Sequence, residues 1–210
     1  MHSNEFTLAE SVEESLLRAG FGHGPNFAHF LVTHLDAGLP RQRILALRGS
    51  VRQGLMNAER WLRALQDRNP VVRREALRLL AYESVTDTRI FDAVRSLLHD
   101  EDPLVVDAAV FVIGEHVVLD GVDELCQVAE FHEDARCRES AIAALGAIGD
   151  ERGRATILRS LEDKPPVRRR AIVALVNFEG PDIEEALERA SDDRDWQVRA
   201  AVNQLGRDFD

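Results

Sequence analysis

Three of the seven histidines in this 210-residue chain, His23, His29 and His34, lie close enough together to invite a chemical reading. Imidazole is a common metal ligand, and ligands on one helix sit three or four residues apart so that they share a face. His29 and His34 are five apart, and His23 precedes the helix that would carry them. No Asp, Glu or Cys group completes a coordination set at a workable spacing, so no metal site is expected. The neighbouring "GFGHG" lacks the strand that would make its glycines a phosphate cradle. Cys126 and Cys137 form neither a disulfide framework nor a metal quartet, and no base stands beside either to activate a thiolate. Both fall on helix faces, where a thiol acts as a small apolar side chain. No catalytic group and no cofactor is therefore expected.

The arginines read differently, because they recur with the elements that carry them. "LQDRNPVVRREALRLLA" from Leu65 is followed by "LHDEDPLVVDAAVFVIG" from Leu98 and "EFHEDARCRESAIAALG" from Glu130. "LEDKPPVRRRAIVALV" from Leu161 and a shorter fifth copy, "ASDDRDWQVRAAVNQLG" from Ala190, complete the series. A spacing near 30 residues is that of helical solenoids. Each copy opens on an acidic or proline-bearing turn, which suits a helix start. Val72, Ala76 and Leu80 then fall four apart, as do Val105, Ala109 and Ile113, Cys137, Ala141 and Leu145, and Val167, Ala171 and Leu175. That spacing is one face of a helix. Between these lie second helices with stripes such as Ile90, Ala93, Val94 and Leu97. A helix pair of this kind cannot bury its own apolar face and must stack on its neighbours.

The pattern resembles the HEAT-repeat family, in particular the short HEAT-like repeats of the phycobilisome-lyase type. The signature is a turn Asp, then Val-Arg, then Ala and Leu-Gly. It is carried by Asp67, Val72, Arg73, Ala76 and Leu80, by Cys137, Arg138, Ala141, Leu145 and Gly146, and by Asp163, Val167, Arg168, Ala171 and Leu175. The expected fold is all-α, a right-handed α-solenoid of about five helix pairs over residues 51–210, with residues 1–50 forming an N-terminal helical cap. By this resemblance Asp67, Arg73, Arg138, Asp163 and Arg168 form a structural ladder between repeats, interrupted where Val106 takes the Arg position. "TLAESVEESLLRAG", "GPNFAHFLVTHLDAG" and "LPRQRILALRGS" are the expected cap helices.

The resemblance also supplies tests of chemistry. Deoxyhypusine hydroxylases place His-Glu pairs just before the repeated Ala to bind two irons. This chain has Arg74-Glu75, Asp107-Ala108, Glu139-Ser140 and Arg169-Arg170 there, which excludes that activity. A lyase-type HEAT-repeat enzyme subunit, or a nucleic-acid-binding protein of the helical-repeat DNA glycosylase type, remains the alternative function. Against the latter stand a formal charge of −11 and no Trp–Asp cluster. Trp61 and Trp196 are read as packing residues.

In HEAT arrays the Val-Arg helix lines the concave side. The partner-binding residues expected there are Arg74, Arg78, Phe111, Glu139, Ala143, Arg169, Arg170, Val173 and Arg199, with Arg199 placed by aligning the short fifth copy on Leu205. Apolar residues rimmed by arginine have the composition of a protein interface. The expected function is a non-catalytic protein-binding module, an adaptor, escort or inhibitor such as a toxin-neutralising protein. Its partner is another protein presenting an acidic surface or peptide. The absence of a ~20-residue apolar run or a secretory leader points to a cytoplasmic location, with no membrane partner.

Overall fold

A computed structural model describes residues 11–208, with side chains through 205. Every regular element among the described residues is helical. Ser11 caps α1 (Val12–Gly20): its hydroxyl accepts the Glu14 N–H while the Glu14 carboxylate accepts the Ser11 N–H, a reciprocal capping box. Then come α2 (Phe27–Thr33), α3 (Pro40–Arg52), α4 (Ala58–Leu65) and α5 (Pro70–Leu80). The expected start of α1 near Thr7 lies outside the described residues.

The later helices are α6 (Thr88–Ser96), α7 (Pro103–Glu115), α8 (Val122–Phe131), α9 (Ala135–Ile148), α10 (Glu151–Arg159), α11 (Pro165–Ala174), α12 (Pro181–Ser191) and α13 (Trp196–Asp208). Their starts follow from the turn chemistry. Asp87, Asp102, Asp134 and Asp150 each accept a backbone N–H of the helix that follows. Pro103, Pro165 and Pro181 stand in first turns, where a missing N–H costs nothing. Gly149 ends α9 in the left-handed region at φ 68°, the conformation that glycine adopts without a Cβ penalty.

The chain divides into two compact units, residues 1–79 and 80–210. In the first, α1, α2 and α3 pack around Leu16, Ala19, Leu31 and Ala46, with Phe27, Phe30, Leu35, Leu45 and Leu55 against them. Gly20 and Gly49 let α1 and α3 touch backbone to backbone: a Cβ on Gly49 would lie 3.0 Å from the Gly20 Cα.

In the second unit, α7, α9, α11 and α13 form one layer, each packed on the next, while α6, α8, α10 and α12 form the other. The predicted stripe is the buried one: Val105, Ala109, Ile113, Cys137, Ala141, Leu145, Val167, Ala171 and Leu175 are all at most 1% exposed. Small residues set the approach within the first layer. Gly114 faces Ala144, and Gly146 faces Ala174 so closely that an added Cβ would lie 2.5 Å from the Ala174 Cβ. This is the stacked helix-pair construction of an all-α solenoid, and the sequence period follows from it.

Candidate functional site

The arginine that follows the stripe's first residue is structural on α9 and α11. Arg138, on α9, donates from Nε and Nη2 to the two oxygens of Asp163 at 2.6 and 2.7 Å, and from Nη1 to the His132 carbonyl at 2.8 Å. Arg168, on α11, does the same one step along, to Asp193 at 2.9 and 2.7 Å and to the Asp163 carbonyl. Each guanidinium thus ties its own turn to the next repeat's turn. The Arg138 hydrogen bonds hold the Asp163 carboxyl below its ordinary range against the opposing effect of burial, and Arg168 does so for Asp193.

At the step from α7 to α9 both partners are replaced together. Val106 is fully buried where the guanidinium would be, and His132 stands in place of the carboxylate. Its Nδ1 still accepts the Asp134 N–H, the turn bond that Asp193 makes to Asp195. The turn keeps its geometry without a carboxylate that would have no cation to face.

The ladder reaches further back than the sequence reading placed it, and Arg199 stands elsewhere. Asp67 accepts its bidentate pair from Arg43 of α3, at 2.7 Å on both oxygens, while Arg73 donates to the Asp67 carbonyl. Arg43 is 2% exposed. A rung therefore begins within the N-terminal helices, and the signal was Arg43-x-x-Ala46, the spacing of Arg73-x-x-Ala76. Arg199 was expected on the partner-binding row. Instead its Nη1 donates to the Asp193 carbonyl at 2.6 Å, and Val198 is buried in the stripe. Arg199 stands in the ladder register because the fifth copy aligns on its Val-Arg, not on Leu205. The row continues through Ala200 and Gln204.

In the first unit Arg78 is committed to Glu75, which also receives Arg48, each at 2.7 Å. Burial raises the Glu75 pKa, but hydrogen bonds from Arg78 and Arg48 outweigh it and bring the group to about 2. Arg74 is half-buried on the same helix.

The second unit gathers the remaining expected residues along one face of the α7–α9–α11–α13 layer, in two grooves. The groove between α7 and α9 encloses about 610 Å³ and is lined by Phe111, Ala143 and Ala147, with Asp107, Glu115, Glu139, Arg136 and Arg170 at its edges. Phe111 is 44% exposed and meets Tyr82, itself 74% exposed, at 6.3 Å between ring centroids. Ser140 donates to Asp107 across the helices, and Arg136 is held by Asp134.

The groove between α11 and α13 encloses about 500 Å³ and is lined by Arg169, Arg170, Val173, Trp196, Gln197, Ala200, Ala201, Gln204 and Leu205. It holds two guanidinium groups and no carboxylate, in a chain with 37 acidic and 26 basic residues. Glu139 lies 3.8 Å from Arg169 and 3.5 Å from Arg170, beyond good hydrogen-bond geometry, and Arg169 reaches Gln197 only at 3.5 Å. The contrast with the tight rungs of Arg138 and Arg168 separates architectural arginines from available ones. Trp61 is buried, as a packing residue should be, but Trp196 is 67% exposed on this groove. Its position at the first residue of α13, before the buried stripe begins at Val198, leaves its ring outside the core.

Among the described residues no three His, Cys, Asp or Glu side chains gather as a metal cluster. His23 and His29 are exposed, and His34 is half-buried with Nδ1 against the Phe30 carbonyl. Cys137 donates to the Pro103 carbonyl, and burial pushes its thiol up to about 11; burial also raises Cys126. Burial thus disfavours the thiolate form of both. No helix among the described residues is long and apolar enough to cross a membrane.

The fold recurs in solved structures. An engineered protein overlays with a TM-score of 0.63 at 19% identity, covering 88% of this chain and 97% of that one. Escherichia coli YibA gives 0.60 at 17% identity, over 92% and 73% of the two chains. A designed armadillo repeat protein in complex with the peptide (KR)4 gives 0.58 at 14% identity, over 96% and 100%. No curated protein matches the sequence. The model of HEAT repeats matches residues 58–116 and again 105–175, together more than half of the chain. With the turn carboxylates, the guanidinium rungs and the paired helices in place, the chain belongs to the HEAT-repeat family.

Proposed function

We propose that this protein is a non-catalytic binding module that engages an acidic segment of another protein through the exposed face of α7, α9, α11 and α13. The observation that carries this reading is the α11–α13 groove, where Arg169 and Arg170 face solvent beside Trp196 with no carboxylate in the lining. Guanidinium groups pair bidentately with carboxylates and stack on planar groups, and a tryptophan beside them adds apolar area. Phe111, Ala143 and Val173 extend the face with apolar surface, Phe111 and Val173 being 44% and 45% exposed. A designed armadillo repeat protein of similar fold is solved in complex with a (KR)4 peptide, which supports peptide capture as the mode of binding; here the arginines call for a ligand of the opposite sign. Binding of this kind suits an adaptor, escort or inhibitor role.

The direct test uses defined probes on the purified chain: a fluorescent Glu-Leu repeat peptide, the (KR)4 peptide, and single- and double-stranded DNA oligonucleotides. The acidic peptide binds, and the double variant Arg169→Glu/Arg170→Glu abolishes binding while far-ultraviolet circular dichroism is unchanged. Salt-sensitive binding to DNA in preference to the acidic peptide would overturn the reading in favour of a nucleic-acid-binding repeat protein.

A further inference from the structure

The charge along the layer changes sign between α9 and α11. The residue two places after the stripe's first position is Asp107 on α7 and Glu139 on α9, then Arg169 on α11. Arg136 at the α7–α9 groove is neutralised by Asp134 at 2.6 Å, so Asp107, Glu115 and Glu139 outnumber Arg170, which lines both grooves, and leave that groove net acidic around Phe111. The α11–α13 groove carries only the two arginines. The residue six places along is Phe111, Ala143 and Val173, so both grooves share an apolar floor.

We infer that the occupant is a dipolar extended peptide, with an acidic residue on Arg169 and Arg170 and an apolar residue flanked by a lysine or arginine on Phe111, Asp107 and Glu115. This rests on the protein-binding reading above and specifies it. A uniformly acidic ligand can use only the arginine end, since Asp107, Glu115 and Glu139 repel it at the other, and a uniformly basic one would meet the arginine pair. Charge complementarity therefore selects the partner's sequence and fixes its orientation, since reversing the ligand places like charges together. Neighbouring helix axes lie about 8–10 Å apart, so the two grooves are separated by two helix steps, roughly 16–20 Å. At about 3.3 Å per extended residue that distance spans roughly five or six residues.

A random dodecapeptide library displayed on phage, selected against the full chain, tests this. The expected enriched sequences place Asp or Glu roughly four to seven positions from an apolar residue that has Lys or Arg beside it, given the span above. A resynthesised peptide of that kind loses roughly tenfold or more in affinity on Arg169→Glu/Arg170→Glu, and separately on Glu115→Lys, by fluorescence anisotropy. It also loses affinity when its acidic and basic positions are exchanged. Enrichment of acidic peptides without the basic-apolar element, sensitive to the arginine pair but not to Glu115→Lys, overturns the dipolar assignment and leaves the binding reading intact. No enrichment over uncoated beads, or peptides indifferent to Arg169→Glu/Arg170→Glu, overturns both.

Discussion

Replacing Asp163 with alanine strands the Arg138 guanidinium between two repeats, and the cost can be worked from the contacts. The carboxylate accepts two charge-assisted bonds, at 2.6 and 2.7 Å, from a side chain 13% exposed, and is itself 19% exposed. Breaking a fully buried pair from one side costs about 3–5 kcal/mol, whereas an exposed pair contributes about 0–1 kcal/mol. Water reaches about a fifth of this carboxylate, and Arg138 keeps the His132 and Glu133 carbonyls as acceptors. The expected loss is therefore about 2–4 kcal/mol. Arg138→Met/Asp163→Ala should cost less than the sum of the single changes, because no charge is left unpaired, with a coupling of about 1.5–3 kcal/mol. Urea unfolding of the four proteins, followed by circular dichroism, measures this directly. The Asp163 pKa is depressed, so its contribution is present above the ordinary carboxylate range and lost as pH falls through the depressed value. The Asp163→Ala chain should accordingly lose less stability on acidification than the parent. A change within about 0.5 kcal/mol and no coupling would show the rung to behave as a surface pair, and the distinction between architectural and available arginines would fall.

Three further outcomes follow from other parts of the chain. Glu75→Gln should remove part of the acid sensitivity of the first unit: stability from Glu75 is complete above pH 4.5 and lost toward about 2, a difference of at most about 3 kcal/mol, read from urea midpoints across that range. Gly146→Ala should destabilise by about 1–3 kcal/mol despite alanine's better helix propensity, because the new Cβ meets the Ala174 Cβ at 2.5 Å and forces α9 from α11; a stabilised variant in thermal unfolding would contradict that packing. Cys137 should resist Ellman's reagent in native protein at pH 8 and react on unfolding in urea, being 1% exposed with its thiol pushed to about 11; prompt native reaction of both thiols would contradict its placement.

The helix pairs were legible because stacking demands a buried residue every fourth position and a helix start every repeat, and both leave marks in the sequence. Val72, Val105, Cys137 and Val167 sit in the stripe for that reason. The rung from Arg43 was obscured because α3 keeps only the Arg-x-x-Ala core of the pattern, with Gln42 and Ser50 at positions where other copies place Val and Leu. Arg199 was misplaced because the shortened fifth copy offers two alignments, and only the bond to the Asp193 carbonyl decides between them. Trp196 is a packing residue on the sequence reading, but it lies two residues before Val198 of the stripe, roughly 200° around the helix, and its ring is exposed. The charge balance of the faces was the least legible part. It depends on which arginine finds a carboxylate in the next repeat, as Arg168 does and Arg169 does not.

Trp196 offers the most direct measurement of the central claim, since its indole is exposed on the groove that carries Arg169 and Arg170. Titrating the chain with the acidic Glu-Leu peptide should shift tryptophan emission to shorter wavelength as the ring is covered, with the change absent in Trp196→Phe and abolished in Arg169→Glu/Arg170→Glu. An acidic peptide that binds without altering Trp196 emission, or that binds the charge-reversed chain equally well, would place the partner elsewhere and contradict the account.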